Sequence, residues 1–295
     1  MIKFWKWSGA GNLFVILDAR GGGQAAAVCS ATAAALGQRK KLRKQLCLPA
    51  DSIEPSEIVD LCKEYGTDGL MILRESAAGH DFAMEFYNPD GTSGMMCGNG
   101  GRCIAAFADM LGIKPADGGV FRFDAPDGVH TAEILQRPAD PATGEWTVRL
   151  GMIDVAGITE YPDGLFLNTG TRHFVKFVPD VETIDIEAEA LPIRHDARFA
   201  PEGTNVNFVQ TGPIVKIRTF EKGVEGETAA CGTGITAAAI ACRYSGVAPS
   251  AEGPDGRLSY RIQAREATLS VDFVQKKKDA FSDVFLSGPA RVLDL

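Results

Sequence analysis

The chain has 295 residues, 45% of them hydrophobic and 23% charged, which suits one large or two ordinary globular domains. Its formal net charge of −8 argues against a nucleic-acid or anionic-membrane surface, since both require clustered positive charge. No apolar run reaches the ~20 residues of a membrane helix, and the N-terminus lacks the pattern of a secretory signal. The seven cysteines are odd in number, scattered and without zinc-site spacing, so we predict a cytoplasmic protein with reduced thiols and no metal.

The first predicted element is a β-hairpin over residues 2–18. The run IKFWKW is followed by SGAGN and then by LFVILD, so two strands flank a tight glycine turn that holds Asn12. Residues 19–50 contain three consecutive glycines, an Ala-rich stretch and basic residues at 39–44. We interpret the basic residues as a solvated helix or loop face rather than a partner-binding patch, because runs of charge mostly face water.

Residues 55–65 are predicted to form an amphipathic helix. They begin with Pro55, and apolar side chains recur at Ile58, Leu61 and Tyr65. Strands with intervening turns are predicted to follow at 67–73, 81–94, 120–135 and 146–155.

The most informative feature is a pattern that occurs twice. Residues 97–100 are Cys-Gly-Asn-Gly and residues 231–234 are Cys-Gly-Thr-Gly, and each is followed by an Ala-rich stretch of helical character. Each stretch meets a glycine, Gly112 or Gly246, and then a proline, which are helix stop signals. The sequence therefore predicts, twice, a cysteine in a glycine turn at the beginning of a helix.

Other segments repeat as well, which predicts two like halves. Residues 165–178 have the layout of residues 2–17, a strand, a glycine turn and an aromatic-led strand. The last strand is expected to return to the first half, because chain termini often lie close together. We predict two domains: residues 1–150 plus 287–295, which carry Cys97, and residues 151–286, which carry Cys231.

The chemistry of such a turn depends on whether it occurs once or twice. A helix N-terminus presents free N–H groups and partial positive charge, which lower the pKa of a thiol there and bind a carboxylate. A single turn would favour a nucleophilic cysteine. Two turns favour acid–base chemistry, in which a thiolate removes a proton from a carbon next to a carboxylate and a thiol returns one to the opposite face. The remaining cysteines are interpreted as packing residues: Cys29, Cys47, Cys62, Cys103 and Cys242.

Five segments give the chain a specific resemblance to one family. They are SGAGN at 8–12, FYNPDGTSGMMCGNGGRC at 86–103, LNTGTRHFV at 167–175, EGTNVNFV at 202–209 and FEKGVEGETAACGTG at 220–234. In these motifs the chain resembles diaminopimelate epimerases, which need no cofactor and act in the synthesis of lysine and peptidoglycan precursors. The resemblance implies an α/β fold of two pseudo-symmetric domains, each a curled, mainly antiparallel sheet around a central helix, with the active site in the cleft between them. It also implies that the protein forms a homodimer. The partner that the resemblance implies is a small-molecule amino-acid substrate.

The resemblance assigns roles to individual positions. Cys97 and Cys231 would be the two bases of a pyridoxal-independent epimerase that interconverts LL- and meso-2,6-diaminopimelate. His173 and Glu221 would adjust the pKa values of these thiols. The reacting carboxylate would be held by Gly98, Asn99, Gly232 and Thr233, and other parts of the substrate by Asn12, Asn88, Thr171, Asn205, Glu221 and Lys222.

The chain departs from the usual family pattern around the expected substrate. Leu13 stands where Asp is common, Gly69 where Gln is common and Lys222 where Arg is common. Thr171-Arg172 replaces Asn-Pro, and residues 19–50 form a connection longer than usual. Arg172 is interpreted either as an inward-facing fork for the distal carboxylate or as a surface cation. His80, His130 and His195 are interpreted as surface residues without partners.

Three alternatives stay open. The same two-thiol chemistry would serve a racemase of another amino acid, such as histidine. A single-cysteine hydrolase would use Cys97 as nucleophile and His173 as base, but it leaves the second turn unexplained. A binding protein without activity would not need both cysteines.

Overall fold

The structure, a computed structural model, describes residues 4–20, 54–141 and 144–293. The interpretation of the basic residues at 39–44, and of Cys29 and Cys47, falls outside these ranges. Within them, no helix is both long enough and apolar enough to cross a membrane. The chain divides into two compact units, one of Met1–Leu150 with Pro289–Leu295 and one of Gly151–Gly288.

The first unit combines a sheet with two helices in its described part. The helices are α1 (Pro55–Tyr65) and α2 (Gly98–Met110), and the strands are β1 (Phe4–Gly9), β2 (Asn12–Asp18), β3 (Gly69–Arg74), β4 (Phe82–Tyr87), β5 (Val120–Ala125), β6 (Gly128–Gln136) and β7 (Glu145–Gly151).

Pairing in this unit alternates between antiparallel and parallel. β1–β2 and β3–β4 are antiparallel, β2–β3 and β4–β5 are parallel, and β5–β6 and β6–β7 are again antiparallel. A parallel pair needs a crossover connection, and α1 and α2 provide the two crossovers. The last strand, β18 (Ala280–Leu293), pairs with β1 through residues 291–293, which confirms the predicted return of the C-terminus.

Helix α2 is the centre of the first unit. It packs against β1, β2, β3 and β6, so the sheet curls around it. Every residue of α2 except Asp109 is buried, which its Ala-rich sequence allows because small side chains let strands approach closely. Helix α1 covers β2 and β3 and buries Ile58, Leu61 and Cys62 against them.

The second unit has more and shorter strands. Its helices are α3 (Ile186–Arg194) and α4 (Gly232–Tyr244), and short 3₁₀ turns at Val181–Thr183 and Ala197–Phe199 flank α3. Its strands are β8 (Val155–Ala156), β9 (Thr159–Tyr161), β10 (Gly164–Asn168), β11 (Arg172–Phe177), β12 (Asn205–Gln210), β13 (Val215–Glu221), β14 (Gly226–Thr228), β15 (Ala251–Glu252), β16 (Arg257–Gln263), β17 (Thr268–Lys277) and β18 up to Gly288.

The order of pairing in the second unit repeats that of the first. β10–β11 and β12–β13 are antiparallel, β11–β12 and β13–β16 are parallel, and β16–β17 and β17–β18 are antiparallel. Helix α3 lies in the first parallel crossover and α4 in the second. Helix α4 packs against strands β10 to β13 and also against β16 and β17. The predicted fold class, two like α/β units each curled around a central helix, is confirmed.

Both central helices end as predicted. Gly112 and Gly246 adopt positive φ, each 80°, two residues beyond the last helical residue. The N–H groups of Ile113 and Val247 then bond back to helix carbonyls at 3.1 and 2.9 Å, the arrangement that closes a helix C-terminus.

Some local features differ from the predictions. Helix α3 is not apparent from the sequence, because Pro192 stands inside it and normally interrupts a helix. His80 and His130 are not partnerless surface residues: their rings lie 2.8 and 3.1 Å from the carboxylates of Asp124 and Asp127, which turns between strands bring close. His195 is exposed, and the thiols of Cys62, Cys103 and Cys242 are buried, as predicted.

Candidate active site

Cys97 lies at the beginning of α2, the central helix of the first unit. It is the N-cap residue, with extended backbone, and its sulfur accepts a hydrogen bond from the N–H of Gly100 at 3.2 Å. An N-cap side chain is usually an oxygen acceptor that satisfies a free N–H of the first turn. Here sulfur takes that place, so a helix N–H group points at Cys97 and favours its thiolate form.

The β1–β2 hairpin rests directly on this first turn of α2. A Cβ atom at Gly9 would lie 2.7 Å from the carbonyl oxygen of Asn99, so only glycine fits without a shift. The hairpin turn is formed by Ala10 and Gly11, both with positive φ (54° and 99°), as a two-residue turn of this kind requires. The turn places Asn12 beside the start of the helix.

A series of hydrogen bonds runs from this hairpin into the unit. Asn12 Nδ2 donates to the Asp68 carboxylate at 3.2 Å, and Asn99 Nδ2 donates to Asn12 Oδ1 at 2.5 Å. Arg102 Nη2 donates to Asn99 Oδ1 at 2.7 Å, and the Leu13 N–H donates to Asp68 at 2.8 Å. The orientation of both amides is therefore fixed, because each oxygen faces a donor and each nitrogen an acceptor.

Arg102 is fully buried beneath the cysteine turn. Its guanidinium also donates to the carbonyl oxygens of Gly98 at 3.1 Å and Pro289 at 3.5 Å. Burial lowers the pKa of Arg102 to about 10, while interactions with Cys103 and Cys97 act in the opposite direction. Because that attraction is mutual, Arg102 favours a negative charge on Cys97.

Asn88 lies in the loop between β4 and α2. Its backbone N–H donates to the carbonyl of Thr92 at 2.8 Å, and its side-chain amide donates to the Thr92 hydroxyl at 3.0 Å. A Cβ atom at Gly94 would overlap the ring of Phe86 and lie 3.0 Å from Asn88 Oδ1. Close packing in this loop therefore holds the Asn88 side chain next to the segment that enters the Cys97 turn.

Cys231 occupies the corresponding position in the second unit, as the N-cap residue of α4, but its surroundings differ. It is only 7% exposed, its sulfur makes no capping hydrogen bond to α4, and Thr233 Oγ1 lies 3.4 Å away. Burial raises the pKa of Glu221, and the neighbouring side chains of Thr228 and Cys231 act in the opposite direction. In its ionised form Glu221 can only accept a hydrogen bond, so its contact with Cys231 then favours the protonated thiol.

His173 is fully buried in the second unit. Its Nε2 lies 2.9 Å from the hydroxyls of Thr171 and Thr233, and its Nδ1 lies 3.0 Å from Asn207 Nδ2. Burial lowers the pKa of His173 to about 3, so the ring is neutral near neutral pH. A neutral ring with both nitrogens engaged is a poor general base, which argues against the hydrolase alternative.

Asn205 joins two other predicted site residues. Its amide nitrogen donates to the carbonyl of Arg172 at 3.1 Å and to the Thr171 hydroxyl at 3.3 Å, and its oxygen accepts from the Lys222 N–H at 2.8 Å. Thr171, Asn205 and Lys222 are thus close to one another, and the side chain of Lys222 is exposed.

Comparison with known proteins bears on what these two turns do. The family profile described as "Diaminopimelate epimerase" matches residues 165–275. Diaminopimelate epimerase of Chlorobaculum tepidum is 34% identical, over 97% of this chain and 97% of its own length. The enzymes of Flavobacterium psychrophilum (34%; 98% and 97%) and Aquifex aeolicus (33%; 97% and 94%) are similarly related.

The chain belongs to the diaminopimelate epimerase family. It is accordingly an enzyme of the isomerase class. Across the residues that the structure describes, no three or more His, Cys, Asp or Glu side chains are grouped so that they could hold a metal ion.

Solved structures with low sequence identity share the fold. A Bacillus anthracis phenazine biosynthesis protein of the PhzF family has a TM-score of 0.67 at 11% identity, covering 99% of this chain and 97% of its own. A probable proline racemase from Agrobacterium radiobacter has a TM-score of 0.57 at 13% identity, covering 100% and 91%. At these identities the likeness concerns the fold alone.

Two departures from the usual epimerase pattern have a physical explanation. A Cβ atom at Gly69 would lie 2.9 Å from the Phe86 ring and from the Tyr87 carbonyl oxygen, so a glutamine does not fit there without a shift. Arg172, half-buried, forms an ion pair with Glu202, and its guanidinium lies over the Phe166 ring. The ion pair with exposed Glu202 agrees with the interpretation of Arg172 as a surface cation rather than as an inward-facing group for the distal carboxylate.

The structure adds four residues that sequence reasoning missed. Asp68 and Arg102 hold Asn12 and Asn99, while Asn207 and Thr219 lie behind His173. The signals were present: Arg102 is the only basic residue of an apolar helix, and Asn207 shares a strand face with Asn205 because side chains alternate along a strand.

Proposed function

We propose that this enzyme interconverts LL- and meso-2,6-diaminopimelate without pyridoxal, in lysine biosynthesis, with Cys97 and Cys231 as its two acid–base groups. One observation carries the proposal. In each unit a cysteine in a glycine turn occupies the N-cap position of the central helix, so the same thiol-bearing arrangement occurs twice. A hydrolase or a binding protein would need at most one of them.

The proposed chemistry is a proton exchange, and after each turnover the enzyme again holds one thiolate and one thiol. One thiolate takes the α-hydrogen as a proton, forming an S–H bond, and the electron pair of the broken C–H bond spreads into the carboxylate. The other thiol gives its proton to the opposite face of the same carbon, and its S–H bond becomes a thiolate. The next turnover in the reverse direction uses the same two groups with exchanged roles.

Helix N-termini supply the stabilisation that such an intermediate needs. Negative charge that develops on the substrate carboxylate is stabilised by N–H groups of the turns, those of Gly98, Asn99, Gly232 and Thr233. Asn12 is already oriented by the Asp68 contact. We assign it, with Asn88 and Asn205, to the amino and carboxylate groups at the reacting carbon.

The resting charge states are proposed to differ between the thiols. Cys97 accepts an N–H hydrogen bond and lies above the buried cation of Arg102, which favours the thiolate. Cys231 contacts the carboxyl group of Glu221, which favours the thiol. The free enzyme would then start with one base and one acid, as a two-base epimerisation requires.

The far end of the substrate carries a second ammonium and a second carboxylate. Glu221 suits the ammonium, and Lys222, exposed and close to Asn205, suits the carboxylate as a point charge. We further propose that the enzyme acts in the cytoplasm as a homodimer and that its partner is a small-molecule amino-acid substrate, not a nucleic acid or a membrane.

The substrate assignment is tested by α-hydrogen exchange in D₂O, followed by proton NMR. LL-diaminopimelate is expected to exchange well ahead of lysine, alanine and histidine. Lys222→Met should cost on the order of 2–4 kcal/mol in kcat/KM for diaminopimelate and much less for lysine, which has no distal carboxylate. Faster exchange of histidine or another amino acid would replace this assignment with the racemase alternative.

A further inference from the structure

A series of buried polar side chains in the second unit leads from β13 to Cys231. Thr219 Oγ1 donates to Asn207 Oδ1 at 3.0 Å, and Asn207 Nδ2 lies 3.0 Å from His173 Nδ1. His173 Nε2 lies 2.9 Å from Thr233 Oγ1, and that oxygen lies 3.4 Å from Cys231 Sγ. The first three of these residues are almost completely inaccessible to solvent.

The direction of the series is fixed at Asn207. Its Nδ2 also lies 3.0 Å from the carbonyl oxygen of Phe174, which can only accept, so the nitrogen end of the amide must face this side. The second hydrogen of Nδ2 then points at His173 Nδ1, which must present a lone pair to receive it. His173 therefore carries its single ring hydrogen on Nε2.

The hydrogen on Nε2 sets the direction of the remaining bonds. It donates to the hydroxyls of Thr171 and Thr233, which are 3.0 Å from each other. Whichever hydroxyl accepts it, the hydrogen of Thr233 can be directed at Cys231, and the thiol hydrogen of Cys231 at Glu221. With the other tautomer, Nε2 would accept from a hydroxyl and draw its hydrogen away from the sulfur.

We propose that Asn207 is a positioning residue for the reaction: it holds His173 in the Nε2–H tautomer, so that every donor in the series points towards Cys231. Thr219 supports this orientation because its hydroxyl donates a hydrogen bond to the amide oxygen of Asn207. The proposal rests on the proposed two-thiol function, because it concerns how Cys231 is stabilised when it becomes a thiolate. At that moment the Thr233 hydroxyl donates to the charged sulfur, and the neutral histidine polarises this hydroxyl.

The tautomer can be measured without substrate. In ¹⁵N NMR of uniformly labelled wild-type protein, with His173→Gln to assign the signals, Nε2 is expected to show the protonated shift and Nδ1 the unprotonated one near neutral pH. A protonated Nδ1, or an imidazolium, in the wild-type protein would overturn the proposal. Because this measurement does not depend on turnover, it separates the proposal from the substrate assignment.

Variants then connect the tautomer to catalysis. Asn207→Asp places an acceptor opposite Nδ1, so the ring hydrogen should move to Nδ1 and kcat should fall on the order of 10²-fold, with KM little changed. Thr219→Val leaves the amide oxygen without its donor and should lower kcat roughly two- to tenfold while the protein stays folded.

The matched control is Thr236→Val, a change of the same shape at a buried threonine of α4 outside the series. It should alter kcat less than about twofold. The proposal would be overturned if Thr219→Val and Thr236→Val changed kcat equally, or if Asn207→Asp kept the wild-type kcat. Asn207 would then contribute to packing alone. If the wild-type protein shows the Nε2–H tautomer but no exchange with any amino acid, the proposed function fails instead.

Discussion

The turns at Cys97 and Cys231 share a sequence pattern, a helix of 13 residues and a place in the topology of their units, yet they surround sulfur differently. Cys97 accepts a helix N–H and lies over the buried guanidinium of Arg102. Cys231 contacts the carboxyl group of Glu221 and the Thr233 hydroxyl, with neutral His173 behind it. The repeated motif thus provides the thiol and the helix end, whereas Arg102 and Glu221, outside the motif, favour different protonation states of the two sulfurs.

The difference has a consequence for the proposed chemistry. A symmetric pair of thiols at a helix N-terminus would titrate alike, and two thiolates or two thiols cannot perform the exchange. A cation near one sulfur and a carboxyl group near the other separate the two states in advance.

The largest effect is expected when either thiol is removed. Cys97→Ala and Cys231→Ala should each lower kcat by about 10³-fold or more in both directions, because each direction needs one thiolate and one thiol. The assay is epimerisation of LL- and of meso-diaminopimelate by each variant. Near-normal turnover by either variant without added base would contradict the two-base account.

Removal of the cation tests the first turn alone. Arg102→Met leaves Asn99 Oδ1 and the Gly98 carbonyl without their buried donors, and we expect about 3 kcal/mol lower unfolding free energy and a raised KM. Arg102→Lys keeps the charge but loses the fork, so it should recover part of kcat and less of the stability. Urea unfolding and steady-state kinetics give both quantities. Equal values for the two variants would show that the charge near Cys97 has no part in the reaction.

The units and the turns could be predicted from the sequence because their signals are local. A Cys-Gly-x-Gly segment before an Ala-rich stretch, and glycine with proline after it, define a helix whatever surrounds it. The resemblance assigns His173 and Glu221 to the two thiols, but it gives no role to Arg102, an arginine whose complete burial only the structure shows. His173 and Thr233 are 60 residues apart and meet only in the folded unit, whereas Glu221 lies in β13, whose hairpin with β14 leads directly to Cys231. Helix α3 stayed hidden because Pro192 outweighs its few apolar residues.

Gly100 and Gly234 each stand three residues after a site cysteine, so substitutions there compare the space around the two sulfurs. A Cβ atom at Gly234 would lie 2.6 Å from Asn207 Oδ1, whereas one at Gly100 would lie 3.2 Å from Cys97 Sγ, its nearest neighbour. We expect Gly234→Ala to destabilise the protein by about 1–3 kcal/mol through overpacking. Gly100→Ala should change stability by less than about 1 kcal/mol, because alanine favours a helix and offsets a milder contact. Thermal unfolding measures both, and a larger loss for Gly100→Ala would reverse the comparison.

The buried histidine gives the second turn a pH dependence in the acid range. Because the pKa of His173 is lowered from 6.5 to about 3, the unfolded chain binds a proton there that the folded protein does not. Unfolding free energy should therefore be unaffected by this group above pH 6.5 and should fall as pH drops below it, by up to about 1.4 kcal/mol per pH unit. Urea unfolding of the wild type and His173→Gln at several pH values isolates the effect. The same slope in both proteins would show that His173 ionises freely.

The central claim, that one thiol removes a proton and a different thiol returns one, is tested most directly by the first deuterium atoms that enter during turnover in D₂O. The thiol that donates carries deuterium from the solvent, whereas the thiol that accepts receives the hydrogen of the substrate. At low conversion of LL-diaminopimelate, the meso product should therefore hold deuterium at the inverted carbon while the recovered substrate still holds hydrogen. Deuterium appearing equally in substrate and product from the earliest times would indicate a single base and would contradict the two-cysteine account.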